Sequence, residues 1–131
     1  MHVGLLEDDV SIQEMLLLVL QDEGYLVTNY PDAETCVEAL KKAGEDGTPL
    51  AVDLMIIDWR LSGLMTGTEV IQQIRNNPYL DTLPIILTTA ATFNDTAVLQ
   101  NLHVSLLEKP FAVDDMIALI KRLTQSQSSN P

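Results

Sequence analysis

The chain has 131 residues, 47% of them hydrophobic, with a single cysteine. That length suits one domain with a real core and is too short for two full ones, and one cysteine excludes both an intrachain disulfide framework and a cysteine-rich zinc site. Seven basic residues against 19 acidic ones leave a formal charge of −12, a surface that repels nucleic-acid phosphates and anionic membranes, so direct binding to either is not expected.

No apolar run approaches the roughly 20 residues that span a bilayer. The start, Met1-His2-Val3-Gly4, lacks a basic stretch followed by an apolar one, so the expectation is a soluble, cytoplasmic protein without a secretory signal. Along the chain, Val3-Gly4-Leu5-Leu6 is a short apolar run ending in Glu7-Asp8-Asp9. Ile12, Met15, Leu16 and Val19 then recur at helical spacing, and Ser11 followed by Glu14 has the spacing of a capping box. Gly24 closes that helix and Leu26 to Tyr30 predicts a strand. Pro31-Asp32 opens a second helix with Ala33, Cys36, Val37 and Leu40 on one face, where Cys36 reads as a buried, inert thiol.

Leu54-Met55-Ile56-Ile57 is a continuous apolar run that stops at Asp58. A third helix is predicted from about Thr66, again with capping-box spacing to Glu69, its apolar face formed by Val70, Ile71 and Ile74. Pro84-Ile85-Ile86-Leu87 runs into Thr88-Thr89. A weaker helix is predicted from about Asp95 to Leu102, and a fifth strand over Val104 to Leu107. Lys109-Pro110-Phe111 leads into a last helix that turns Val113, Met116, Ile117 and Ile120 inward and sets Lys121 and Arg122 toward its negative C-terminal end. Residues 124–131, rich in Ser and Gln, read as a flexible tail or the start of a linker, leaving 1–123 as the domain. Five strands alternating with five helices, the strands apolar on both faces, point to an α/β fold with a covered parallel sheet.

In such sheets ligands bind beyond the carboxyl ends of the strands. There the first strand delivers Glu7, Asp8 and Asp9, the third Asp58, the fourth Thr88-Thr89 and the fifth Glu108-Lys109. Carboxylates gathered this way repel unless a proton or cation offsets them, and oxygen-only ligands with room for water suit Mg²⁺. A lysine and a threonine hydroxyl beside them can bind phosphoryl oxygens, and a carboxylate can act as the nucleophile that forms an acyl phosphate. In outline this is a site that accepts a phosphoryl group.

With those residues in view, the chain resembles the receiver domain of two-component response regulators from Val3 to about Leu123. Leu5-Leu6-Glu7-Asp8-Asp9 is similar to the family's acidic cluster, and Ile56-Ile57-Asp58 to its phosphoacceptor strand. Pro84-Ile85-Ile86-Leu87-Thr88-Thr89-Ala90 is similar to the fourth-strand motif, with Thr89 at the matching spacing from the proline, and Leu107-Glu108-Lys109-Pro110-Phe111 to the lysine motif. The resemblance implies a flavodoxin-like, doubly wound five-stranded parallel sheet in the order 2-1-3-4-5, an order that is general knowledge for this type of protein. It implies Asp58 as phosphoacceptor from a histidine kinase or histidine phosphotransfer protein, with Lys109, Thr89 and the Ala90 N–H binding phosphoryl oxygens. It further implies Mg²⁺ held by Asp8, Asp58 and the backbone carbonyl of Arg60, with Glu7 acting through water, and a cis peptide at Lys109-Pro110. Output would be read on the face made by the fourth helix, fifth strand and fifth helix, by a second copy or by an effector domain or protein. The module would phosphorylate and dephosphorylate itself without being a turnover enzyme.

Three positions depart from the family pattern. Leu106 stands where an aromatic switch residue is usual, the turn after Asp58 reads Leu61-Ser62-Gly63 with about one extra residue before Gly67, and Leu102-His103 replaces a glycine-alanine pair. Leu106 favours an alternative in which the chain is a pseudo-receiver, an interaction module independent of phosphorylation; the intact Glu7, Asp8, Asp58, Thr89 and Lys109 favour the phosphorylated form. An aspartate-nucleophile phosphatase would place its nucleophile on the first strand with a second acid two residues on, which Asp58-Trp59-Arg60 does not provide.

Overall fold

The computed structural model describes residues 1–45, 52–61, 65–90 and 102–128. Its strands are β1 (His2–Leu6), β2 (Leu26–Asn29), β3 (Leu54–Asp58), β4 (Ile85–Thr89) and β5 (Ser105–Glu108). Its helices are α1 (Val10–Asp22), α2 (Ala33–Glu45), α3 (Gly67–Arg75) and α4 (Val113–Ser128), with a 3-10 turn at Pro78–Leu80. All neighbouring strands are parallel, in the order β2-β1-β3-β4-β5. The sheet order expected from the resemblance is therefore found. The helix expected from about Asp95 lies outside the described residues apart from Leu102, which sits in a turn.

The apolar runs of β1, β3 and β4 become strands buried on both faces because helices cover each side, while the edge strands β2 and β5 stay partly exposed. Residues of β3 alternate between two cores. Met55 and Ile57 join Leu6 and Leu87 against Cys36, Leu40, Val70, Ile71 and Ile74 of α2 and α3. Leu54 and Ile56 join Val3, Leu5 and Ile86 against Leu16, Leu20, Met116 and Ile120 of α1 and α4. Cys36 is fully buried, and burial pushes its thiol up to about 12, which keeps it protonated and unreactive.

Local signals hold at α3 and fail at α1. Thr66 and Glu69 form the expected capping box, each side chain accepting from the other residue's backbone N–H. At α1 the cap is Asp9, not Ser11: its Oδ1 accepts from the Ser11 and Ile12 N–H groups at 2.9 and 3.2 Å, so the Ser11–Glu14 box does not form. Gly24, with φ of +89°, turns the chain from α1 into β2. The helix α4 runs on to Ser128, into the segment expected to be tail, so Lys121 and Arg122 lie inside it and not at its C-terminal end. Lys121 instead pairs with Glu23 across the surface at 3.5 Å.

Arg75, at the end of α3, carries a role that sequence reading did not assign. Its guanidinium donates to the carbonyls of Leu102 (2.8 Å), Leu80 (2.9 Å) and His103 (3.1 Å), tying the 3-10 turn to the turn that starts β5. In that turn His103 adopts φ of +55°, the left-handed conformation that a glycine takes without strain. The left-handed residue is thus the second of the Leu102-His103 pair, at the position where the family pattern has alanine. Replacing Arg75 by Met keeps much of the stem but withdraws all three donors; urea unfolding should show a loss of about 2–3 kcal/mol. A loss below about 0.5 kcal/mol would mean that the clamp adds nothing beyond its packing.

Candidate functional site

At the carboxyl edge of the sheet the strand registers line up one row of side chains. Leu6 pairs with Ile57, so the next residues, Glu7 and Asp58, stand side by side; Asp58 pairs with Thr88, and Thr88 with Leu107. Because side chains alternate along a strand, these four project to the same face as Leu5, Ile56 and Ile86, the face covered by α1 and α4. Lys109, one pleat beyond Leu107, reaches back over this row. Its Nζ donates to Asp58 Oδ1 at 3.2 Å and to Glu7 Oε1 at 3.3 Å. Both acids are buried, 6% and 4% exposed, while the lysine side chain is about a quarter exposed.

One ammonium does not neutralise two buried carboxylates. Burial raises the Glu7 carboxyl to about 7, the adjacent Asp58 charge adds to the rise, and Lys109 and the Asp9 N–H only partly offset it. At neutral pH the site is therefore poised to hold either a proton or a cation. Its donor atoms are oxygens, and a small hard dication that keeps several waters needs only one or two of them from the protein. The residues present fit Mg²⁺ on that chemistry. Among the described residues no three acidic, histidine or cysteine side chains close into a cage of their own.

The other predicted residues arrange around this centre. Thr89 is buried at the end of β4, and its carbonyl accepts the Lys109 N–H at 2.6 Å, which fixes the lysine backbone against that strand. Ala90 and Lys109 line an apolar cleft of about 330 Å³ together with Ile12, Met15, Pro110 and Phe111. The Lys109-Pro110 peptide is cis. Asp8 is half-buried beside Glu7, and Asp9 is committed to capping α1. The exposed Arg60 side chain places its guanidinium 5.7 Å from the Trp59 ring centroid.

Two residues at the site were not assigned from sequence. Gly67 opens α3 directly against the end of β3: its N–H donates to the Trp59 carbonyl at 2.9 Å, and a Cβ there would overlap the Asp58 carbonyl oxygen and lie 2.7 Å from Trp59 Cα. Glycine is required by close approach. Thr88 lies beside Asp58 in the row; its signal was the register, since counting from Pro84 singles out Thr89 alone.

The raised Glu7 carboxyl has a measurable consequence in protein stripped of divalent metal. Between the ordinary value of 4.5 and about 7 the folded chain keeps a proton that the unfolded chain gives up. Its contribution to stability is complete below 4.5 and is lost as pH rises through 7. The urea midpoint should therefore fall from pH 5 to about 7.5, and Glu7→Gln should flatten that fall. Parallel pH profiles for the two proteins would contradict the assignment.

The family model described as response regulator receiver domain matches residues 3–121. The chain is 32% identical over 122 residues to the DNA-binding transcriptional regulator NtrC of Escherichia coli K12, covering 92% of this chain and 24% of that protein. It thus spans about a quarter of that relative's length. The chemotaxis response regulator CheY4 of Vibrio cholerae superposes with a TM-score of 0.78 at 25% identity, covering 93% of this chain and 97% of that one. The receiver domain of sensor histidine kinase PA1611 from Pseudomonas aeruginosa, solved with magnesium in its active-site cleft, shares the fold with a TM-score of 0.78 at 24% identity, covering 93% and 95%. With the sheet order, the acid–lysine centre and the match across nearly its whole length, the chain belongs to the response regulator receiver domain family.

Proposed function

We propose that this receiver domain accepts a phosphoryl group on Asp58 from a phosphohistidine of a histidine kinase or phosphotransfer protein, in the cytoplasm, and passes the change to an output partner. The observation that carries this reading is the Lys109 ammonium bridging Asp58 and Glu7. It holds the nucleophile in place and supplies positive charge where phosphoryl oxygens arrive. An Asp58 carboxyl oxygen attacks phosphorus, the P–N bond to the donor imidazole breaks, and the electron pair stays on that imidazole, which is a good leaving group once protonated. Lys109, the Thr89 hydroxyl and the Ala90 N–H then bind the phosphoryl oxygens.

Glu7, Asp8, Asp58 and the Arg60 carbonyl would hold Mg²⁺, which supplies charge neutralisation between the acceptor carboxylate and the incoming anionic group. The apolar cleft of Ile12, Met15, Pro110 and Phe111 beside Lys109 offers a protein donor a surface from which its histidine can reach the site. Leu106, 40% exposed on β5, occupies the output side. Because a leucine has neither a ring nor a polar side-chain atom, its response to phosphorylation is one of packing alone. Output goes to an effector domain or protein, or through pairing of two copies.

The chain should gain the mass of one phosphoryl group when given Mg²⁺ and a small-molecule phosphodonor, with a concurrent change in the fluorescence of Trp59, its one tryptophan. Asp58→Asn should gain none, and Lys109→Ala should be slowed by about 100-fold or more. A wild-type protein that stays unmodified and silent toward Mg²⁺ would favour an interaction module that works without phosphate.

A further inference from the structure

Thr88 is 1% exposed, and its Oγ1 is buried without a hydrogen-bond partner among the described residues. A hydroxyl buried this way costs stability, and valine has the same shape and suits a strand equally well. The hydroxyl therefore calls for a partner in another state of the molecule. The register names the neighbours. On one side of Thr88 in the row stands Asp58, one strand spacing away, and on the other stands Leu107, which has no side-chain polar atom. In the resting arrangement Lys109 holds Asp58 Oδ1.

We propose that the Thr88 hydroxyl is a further hydrogen-bond donor of the site, acting on the Asp58 carboxyl oxygen from which the phosphoryl group departs, and that it sets the lifetime of the acyl phosphate. The inference rests on Asp58 being the phosphoacceptor. In hydrolysis a water oxygen bonds to phosphorus and the bond from phosphorus to the Asp58 oxygen breaks. The electron pair goes to that oxygen, and both water protons leave with dihydrogen phosphate. Thr88 keeps its own proton and donates a hydrogen bond to the oxygen on which negative charge grows. A donor placed there stabilises the departing carboxylate and so speeds hydrolysis. Lys109 and Thr89 grip the phosphoryl group, whereas Thr88 acts on the oxygen left behind.

The test is the decay of the phosphorylated protein, followed by intact mass after removal of excess phosphodonor, in wild type, Thr88→Val and Thr88→Ser. Phosphoryl uptake by wild type is measured first; its absence would remove the phosphoacceptor reading and this inference with it. Given uptake, Thr88→Val should still be phosphorylated and should decay about ten-fold more slowly, the effect of one hydrogen bond to a charged group. Thr88→Ser, which keeps the hydroxyl and loses a methyl, should decay close to the wild-type rate. Decay of Thr88→Val within two-fold of wild type would overturn the inference while leaving the phosphoacceptor reading in place. Equal slowing by Val and Ser would overturn it as well, because packing and not the hydroxyl would then be the cause.

Discussion

Two carboxylates, Glu7 and Asp58, are buried at the ends of adjacent strands with one ammonium, Lys109, between them. Charges this deep are retained only when paired, and breaking such a pair by removing one member leaves an uncompensated charge in a poorly solvated place. The rest of the architecture serves this contact. Acid-bearing β1 and β3 must be neighbours, and the lysine must come from β5, far enough along the sheet to reach over β4. The order β2-β1-β3-β4-β5 meets both conditions. The bridge is still short of one positive charge; burial first and the Asp58 charge second raise Glu7, and the excess of carboxylate makes the site receptive to a proton or a cation.

The scaffold around the bridge is rigid where precision is needed. Every residue of β3 is buried, from Leu54 to Asp58, so Asp58 ends a strand clamped between two cores. The start of α3 closes on that strand through Gly67, with no room for a side chain. Lys109 is fixed by its backbone bond to Thr89 while its side chain stays partly exposed. That combination anchors the lysine backbone while its ammonium bridges the two carboxylates from a partly exposed stem.

Much of this was legible in the sequence because it depends on period and punctuation. Apolar runs that stop at acids, threonines or lysine marked the strands and their functional ends, and the third-helix apolar face at Val70, Ile71 and Ile74 is buried as its spacing predicts. What failed to show depends on contacts between distant segments. Ser11–Glu14 has the spacing of a cap, but Asp9 stands two residues earlier and accepts from the Ser11 and Ile12 N–H groups, which puts Ser11 inside the first turn. The Arg75 clamp joins residues that the sequence separates by 27 and 28 positions. Thr88 was overshadowed by Thr89 because counting along one strand says nothing about which residue faces the neighbouring strand's acid. The polar composition of residues 124–128 suggested a tail, yet their backbone continues α4.

The central claim is that Asp58, and neither Glu7 nor Asp8, carries the phosphoryl group. Reducing the phosphorylated protein with borohydride converts an aspartyl phosphate to homoserine, and peptide mass analysis then locates the converted residue. The account predicts homoserine at position 58 alone, dependent on prior phosphorylation. Homoserine at position 8, its Glu7-derived homologue at position 7, or conversion at none of the three would contradict it.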